Sequence, residues 1–308
     1  MLIERAGRSA VRPEVYALAA AALNGSIGAL TRVALGGGLS HHQIAFMKCA
    51  LAFSVLLAFS VLRKGGWQSV VSLRGKWRHF MLLSFLGIFC LYCFETWAFG
   101  EASIPLVSFL TYAAGGITLC LSVLLLNEQL GTAKIVAFAA IVAGVYLICA
   151  FEQTMSGSRL GMAFAMLGGL GYALFLVASK YLRVGGGIAQ LVWLFGYGTV
   201  YLLPPALHAG FVMPEWRAWA AIVALVLLPT IGGFYCTTKA VQHGEASKVQ
   251  IIETSDPVFA TLLGFIAFGD VLSGPGLLGG AFILAGLLLA IRRSPREGVR
   301  DVSAVARD

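Results

Sequence analysis

The sequence predicts an all-α, polytopic membrane protein of ten transmembrane helices arranged as two inverted five-helix repeats. Three observations carry that expectation. First, the 308 residues are 59% hydrophobic and only 12% charged, with a mean hydropathy of +0.86, too little polar material to cover a soluble fold of this size. Second, the apolar residues fall in blocks of roughly 20, the length a helix needs to cross a bilayer. Third, a stretch recurs: Gly100-Glu101-Ala102-Ser103 returns as Gly244-Glu245-Ala246-Ser247. Each copy lies between apolar runs. Each is followed by an acidic turn, Leu126-Asn127-Glu128-Gln129-Leu130 and Phe268-Gly269-Asp270-Val271-Leu272, and then by a closing run with a matched core, Ala143-Gly144-Val145 and Ala285-Gly286-Leu287. A period of about 144 residues marks one structural unit used twice.

In chain order, spans are expected at about residues 15–35, 43–62, 79–99, 104–126, 132–151, 160–182, 190–207, 219–241, 249–268 and 274–291. Residues 1–14 then form a cytoplasmic N-terminal segment, 15–151 the first five-helix repeat, 160–291 the second, inverted one, and 292–308 a cytoplasmic tail. Helices are required because a backbone in lipid must satisfy its own N–H and C=O groups. Connections are short, and two are glycine-rich, Gly36-Gly37-Gly38 and Gly185-Gly186-Gly187. Arg5, Arg8 and Arg12 precede a first apolar run that belongs to the repeat, so no cleavable signal is expected.

Basic residues set the orientation. With the N-terminus inside, the inner segments carry Arg5, Arg8, Arg12, Arg63, Lys64, Arg74, Lys76, Arg78, Lys134, Lys180, Arg183, Lys239, Lys248 and the arginines of the tail, while the outer loops carry Arg159 and Arg217. The chain is therefore expected in a bacterial-type inner (plasma) membrane with both termini cytoplasmic. The net charge of +8 is spread over these short segments, so it reads as a topology signal and excludes a nucleic-acid surface. Five spans per repeat is odd, so the halves cross in opposite senses. Such repeats place a substrate site near the midplane and permit alternating access.

At this point the residues resemble a known family. Two inverted halves, each with an Ala-Ser turn, a glycine-rich helix, an acidic turn and a closing Ala-Gly helix, are similar to the drug/metabolite transporter superfamily in its EamA-type branch. The closest resemblance runs over residues 238–289, from Thr-Lys-Ala-Val-Gln-His-Gly-Glu-Ala-Ser through Asp-Pro-Val-Phe-Ala to Ala-Gly-Leu-Leu-Leu. The resemblance implies a secondary transporter, and the YddG-type branch members imply export of aromatic amino acids. Two departures stand out. Asp270 replaces the usual glutamate of the second acidic turn, and Gly115-Gly116 stands where the family often has a proline matching Pro257.

Ionisable residues within apolar spans cost about 2.5–3.5 kcal/mol each to insert, which makes them functional candidates. Depth places Arg32, Lys48 and Glu95 toward the outside, and Lys239, Glu253 and Asp256 toward the inside, with Lys180 near the inner end of the sixth span. Lys48 with Glu95 is the candidate outer gate, and Lys239 with Glu253 or Asp256 the inner one. The alternative is that these pairs neutralise each other on insertion or snorkel to the interface. Glu253 and Asp256 share a helix face, and the following Pro257 kinks the helix, so this pair is a candidate for proton coupling; the alternative is local capping by Asp256. Asn24, Tyr92, Trp97, Thr111, Tyr112, Tyr172, Tyr235 and Thr238 are candidate cavity residues, because aromatic rings with a few polar groups suit an aromatic or amphipathic metabolite. Tyrosine and tryptophan near span ends have the alternative of forming an interface belt. Glu128 and Asp270 are expected to cap the fifth and tenth helices, and Glu101 and Glu245 to lie in turns.

Other classes fit less well. There is no phosphate-binding loop for an ATP-driven pump, and neither His-Glu-x-x-His nor Gly-x-Ser-x-Gly for a membrane enzyme. The six cysteines lie in apolar runs, and the Cys90/Cys93 pair lacks a second pair or a neighbouring histidine, so no metal and no cofactor are expected. A flippase for a lipid-linked intermediate and a multidrug exporter remain alternatives on the same fold. The expected partners are a small-molecule substrate, the lipid bilayer and protons as the coupling ion, with the chain a monomer or homodimer.

Overall fold

The computed structural model describes residues 12–102, 104–113, 115–151, 157–259 and 274–292. Among these, every regular element is helical, and the Ala102–Gly157 β-bridge is isolated. Six stretches are long and apolar enough to cross a membrane: Pro13–Gly36, His41–Leu62, Gly66–Glu101, Arg159–Tyr181, Trp216–His243 and Gly274–Ile291. Large apolar side chains such as Leu62, Phe59, Leu124, Leu277 and Leu278 point outward, as suits helices solvated by lipid.

Several stretches are interrupted. The first consists of α1 (Pro13–Asn24) and α2 (Ile27–Gly36), with the Ser26 hydroxyl donating to the Leu23 carbonyl at 2.8 Å across the break. Next comes α3 (His41–Leu62), whose start is capped by Ser40 Oγ accepting from the Gln43 N–H. The third stretch comprises α4 (Gly66–Ser72), a 3₁₀ turn, α5 (Trp77–Ser84), a π-helical stretch at Phe85–Cys90, and α6 (Leu91–Glu101). Then follow α7 (Ile104–Ala113), α8 (Gly115–Leu126), α9 (Thr132–Phe151), α10 (Arg159–Tyr181) and α11 (Ile188–Ala209). The next long stretch repeats the pattern of the third: α12 (Trp216–Leu225), a π-helical stretch at Val226–Gly233 containing Pro229, and α13 (Phe234–His243). The two π-helical stretches fall at corresponding places in the repeat. Finally come α14 (Ala246–Glu253) and α15 (Gly274–Arg292). α14 ends in a turn at Thr254-Ser255, and Asp256-Pro257 opens a further helical segment. Pro257 therefore lies in a first turn, where its missing N–H costs nothing, rather than kinking a continuous helix.

The packing exchanges the halves. α3 lies against α11 and α9 against α15, pairing second with seventh and fifth with tenth expected spans. α1 packs on α13, α14 and the second π-helical stretch, while α10 packs on α6, α7, α8 and the first. The pattern maps onto itself when the halves are swapped. The matched Ala-Gly cores explain the closest of these contacts: a Cβ on Gly144 would meet the Gly279 carbonyl at 2.5 Å, and one on Gly286 the Ala137 carbonyl at 2.7 Å. Small residues let two backbones touch where lipid supplies no hydrophobic drive.

Candidate functional site

The breaks converge on one place. A small interior cavity of about 30 Å³ is lined by Asn24 at the end of α1, Lys48 of α3, Tyr92 and Glu95 of α6, Thr111 of α7 and Tyr172 of α10. Its remaining wall is mostly apolar: Ile27, Leu91, Leu225, Pro229 and Phe234, with the hydroxyl of Thr230. Asn24 and Ile27 flank the α1–α2 break, and Pro229 and Thr230 belong to the second π-helical stretch. π-Helical turns are rare and concentrate at functional sites, because the extra residue re-aims the side chains beside it. The volume holds water rather than a metabolite, so the lining helices must separate to admit one.

Two buried charges face this space. Lys48 is 2% exposed; its Nζ donates to Thr96 Oγ1 at 3.2 Å and lies 3.9 Å from the centre of the Tyr92 ring. Glu95 is 8% exposed and forms no ion pair with Lys48, although both line the cavity. Glu253 is buried beside the site. Its carboxylate accepts from the Tyr172 hydroxyl and, at 2.6 Å, from Thr237 Oγ1, tying α10, α13 and α14 together. Hydroxyl donors in an interior of low dielectric stabilise a buried carboxylate that would otherwise be costly.

The molecule opens differently at its two ends. A vestibule of about 1220 Å³ is bordered by Pro13, Glu14, Lys134, Lys180, Glu245 and Lys248, and reaches Val249 and Ile252, next to Glu253. A shallower recess of about 520 Å³ is lined by Arg32, Leu35, Glu101, Ala102 and Gly157 among others. The first span begins at the vestibule and ends at the recess, so the two Gly-Glu-Ala-Ser turns occupy opposite ends of it. Charged contacts dominate the vestibule: Lys134 pairs with Glu245 at 2.9 Å, Lys248 with Glu14 at 2.6 Å, and Lys180 donates to the Gly244 carbonyl at 2.7 Å.

Of the residues singled out in the sequence, Asn24, Lys48, Tyr92, Glu95, Thr111 and Tyr172 meet at the cavity. Five others are elsewhere. Trp97 stacks on His41 at 4.6 Å and packs on Phe164 at 4.3 Å. Thr238 bonds back to the Tyr235 carbonyl at 3.1 Å, and Tyr235 lies beside Gly187. Lys239 donates to Gln242 at 3.3 Å on its own helix, so it is not the partner of Glu253. Asp256 is buried at the start of the segment after α14. The Tyr112 side chain and Asp270 lie outside the described residues. Thr96, Thr237, Thr230 and Phe234 went unnoticed in the sequence; Thr96 and Thr237 adjoin Glu95 and Thr238, one residue from positions that were noticed.

Glu128 departs from the expected role. Instead of capping the helix it precedes, its carboxylate accepts from the Ala246 and Ser247 N–H groups at 2.7 and 3.1 Å, and from the Ser247 hydroxyl. It thus caps α14, in the other half. The carboxylate still meets free N–H groups and the positive end of a helix dipole, but across the repeat.

Comparison with known proteins places this architecture. The sequence profile of the EamA-like transporter family matches residues 12–150 and 159–292. An uncharacterized transporter of Archaeoglobus fulgidus is 28% identical over 196 residues, 63% of this chain and 70% of that protein. A probable terminal-alkyne amino-acid exporter of Streptantibioticus cattleyicolor is 29% identical over 204 residues, 63% of this chain and 67% of that protein. A solved crystal structure superposes with a TM-score of 0.75 at 19% identity, covering 92% of this chain and 99% of the other, and shares the fold. With both halves matched by one profile around a shared interior cavity, the chain belongs to the EamA-like transporter family and is a multi-pass membrane transporter, not an enzyme.

Proposed function

We propose that the chain is a secondary transporter exporting small metabolites, chiefly amino acids with aromatic or hydrophobic side chains and related amphipathic compounds. It works by alternating access around the central cavity, with ten spans in two inverted halves and both termini in the cytoplasm of a bacterial-type plasma membrane. The observation that carries this reading is the cavity itself. Two buried charges and several aromatic rings line an enclosed space between a vestibule and a recess at opposite ends of the first span. The name of the Streptantibioticus relative, an amino-acid exporter, supports the substrate class.

The Glu253 contacts suit an inner gate. Ile252 faces the vestibule and Tyr172 the cavity, so the Tyr172–Glu253–Thr237 bonds stand between them. A charged Glu253 accepts from both hydroxyls; a protonated one surrenders an acceptor and loosens the closure, which supplies a route for proton coupling. Reconstitution into liposomes with a panel of amino acids, sugars and cationic drugs, with and without a pH gradient, tests the reading. Flux of amino acids that responds to the gradient supports it. Flux confined to cationic drugs, or movement of a lipid-linked headgroup between leaflets, replaces it.

A further inference from the structure

We infer that Glu95 and Lys48 form a zwitterion-binding pair, Glu95 taking the α-ammonium and Lys48 the α-carboxylate of one free amino acid. The inference rests on the transport reading above and specifies how that site selects its substrate.

Glu95 carries it. The side chain is 8% exposed and lines the cavity, and among the described residues Glu95 makes no side-chain hydrogen bond, its one electrostatic partner being Lys48. The contrast is with Glu253, also buried but holding two hydroxyl donors. A buried carboxylate without a hydroxyl or N–H donor costs on the order of several kcal/mol, which a ligand's ammonium would offset. Lys48 is its complement: an ammonium with three N–H donors, buried to 2% exposure, has one hydroxyl acceptor, Thr96 Oγ1, and the face of Tyr92. The two charges line one space and attract each other across it without forming a direct ion pair.

A ligand bearing both charges on neighbouring atoms satisfies both residues at once. An amine alone would contact Glu95 and upset its attraction for Lys48, and a carboxylate alone would do the reverse, each adding a net charge to a low-dielectric interior where that is expensive. Phe234 and Pro229 on the same wall offer an apolar surface for the amino acid's side chain. The cavity is too small in this conformation for the whole ligand, so binding accompanies separation of the helices that meet there, at the α1–α2 break and the second π-helical stretch. The selectivity then resides in the charged backbone of the amino acid and is tolerant of its side chain.

The test uses the full chain in liposomes, with uptake of radiolabelled L-phenylalanine and L-leucine. N-acetyl-L-phenylalanine lacks the ammonium, and L-phenylalaninamide lacks the carboxylate. In the wild type, both derivatives should compete at least about tenfold more weakly than free phenylalanine, the range expected for losing a charge-assisted hydrogen bond. Glu95→Gln should lose the discrimination against the N-acetyl compound while keeping that against the amide, and Lys48→Gln should do the reverse. The wild-type comparison stands even if a variant fails to fold. Competition by either derivative as strong as that by free phenylalanine in the wild type overturns the inference, as does an equal loss for every compound in folded variants. Liposomes that move sugars or drugs but no amino acid overturn the export reading and this inference together; phenylalanine flux without the stated discrimination overturns this inference alone.

Discussion

The carboxylate of Glu128 accepts the backbone N–H of Ser247 at 3.1 Å, so a residue between the fourth and fifth spans closes the start of a helix in the opposite half. With Ala246 N–H at 2.7 Å and the Ser247 hydroxyl, it answers three donors at once. The nearby Lys134–Glu245 pair, and the bond from Lys134 to the Ser247 hydroxyl at 3.3 Å, reinforce the same junction. The acidic turn of one repeat and the Gly-Glu-Ala-Ser turn of the other therefore form a single structural joint at the vestibule.

Glu128→Ala should destabilise the protein by about 1–2 kcal/mol, the scale of a lost helix cap. Thermal unfolding in detergent measures it. Glu245→Gln, which removes a pair whose carboxylate is 37% exposed, should shift the transition far less. Equal shifts for the two substitutions would mean that Glu128 contributes as a surface charge and not as a cap.

Glu253→Gln should abolish transport driven by a pH gradient and leave substrate exchange at equal pH intact. Thr237→Val removes one donor and should slow exchange without abolishing the pH response, since Tyr172 still bonds the carboxylate. Gradient-driven uptake in proteoliposomes, alongside counterflow, separates the two. A normal pH response in Glu253→Gln removes this residue from coupling.

Lys248 and Glu14, 2.6 Å apart with side chains 7% and 15% exposed, tie α14 to the start of α1. Lys248→Met alone should cost about 3 kcal/mol by leaving Glu14 uncompensated. Adding Glu14→Gln should recover much of that loss, and a double-mutant cycle reads the coupling directly. Additive single-site losses would argue that the two side chains act independently.

Gly144→Leu should separate α9 from α15, because even a Cβ at that position meets the Gly279 carbonyl at 2.5 Å. A cost of about 1–3 kcal/mol, or loss of folded material, is expected from overpacking. Gly36→Ala, with nothing within 4 Å of the new atom, should be close to neutral. Expression and detergent melting of the two variants give the comparison, and a tolerated Gly144→Leu would contradict the close approach.

Six of the residues singled out in the sequence line one cavity, but their pairings were not legible there. Lys48 and Glu95 were expected to bind each other; the structure gives Lys48 to Thr96 and leaves Glu95 facing the cavity. Lys239 was expected at Glu253, whose partners are Tyr172 and Thr237. In both cases the partners are hydroxyls, and Thr96 and Thr237 each adjoin a noticed residue. One step along a helix rotates a side chain by about 100°, so a register read from composition cannot choose between neighbours. The π-helical stretches compound the difficulty, because each inserts an extra residue into the helical period and shifts the face of everything beyond it.

By itself the sequence determined the class and the repeat. Lipid as solvent forces long apolar runs and expels charge, so the spans and the few costly exceptions within them, Lys48, Glu95 and Glu253, are written locally. Tertiary structure alone decided which of those exceptions are satisfied by the protein and which face the cavity. It also decided that Glu128 caps a helix across the halves and that the first span breaks at Gly25-Ser26 beside the cavity. These are contacts between residues on different helices, 16 to 119 positions apart, or bends next to them, set by how closely backbones approach one another. A linear pattern of hydrophobicity carries no record of that distance.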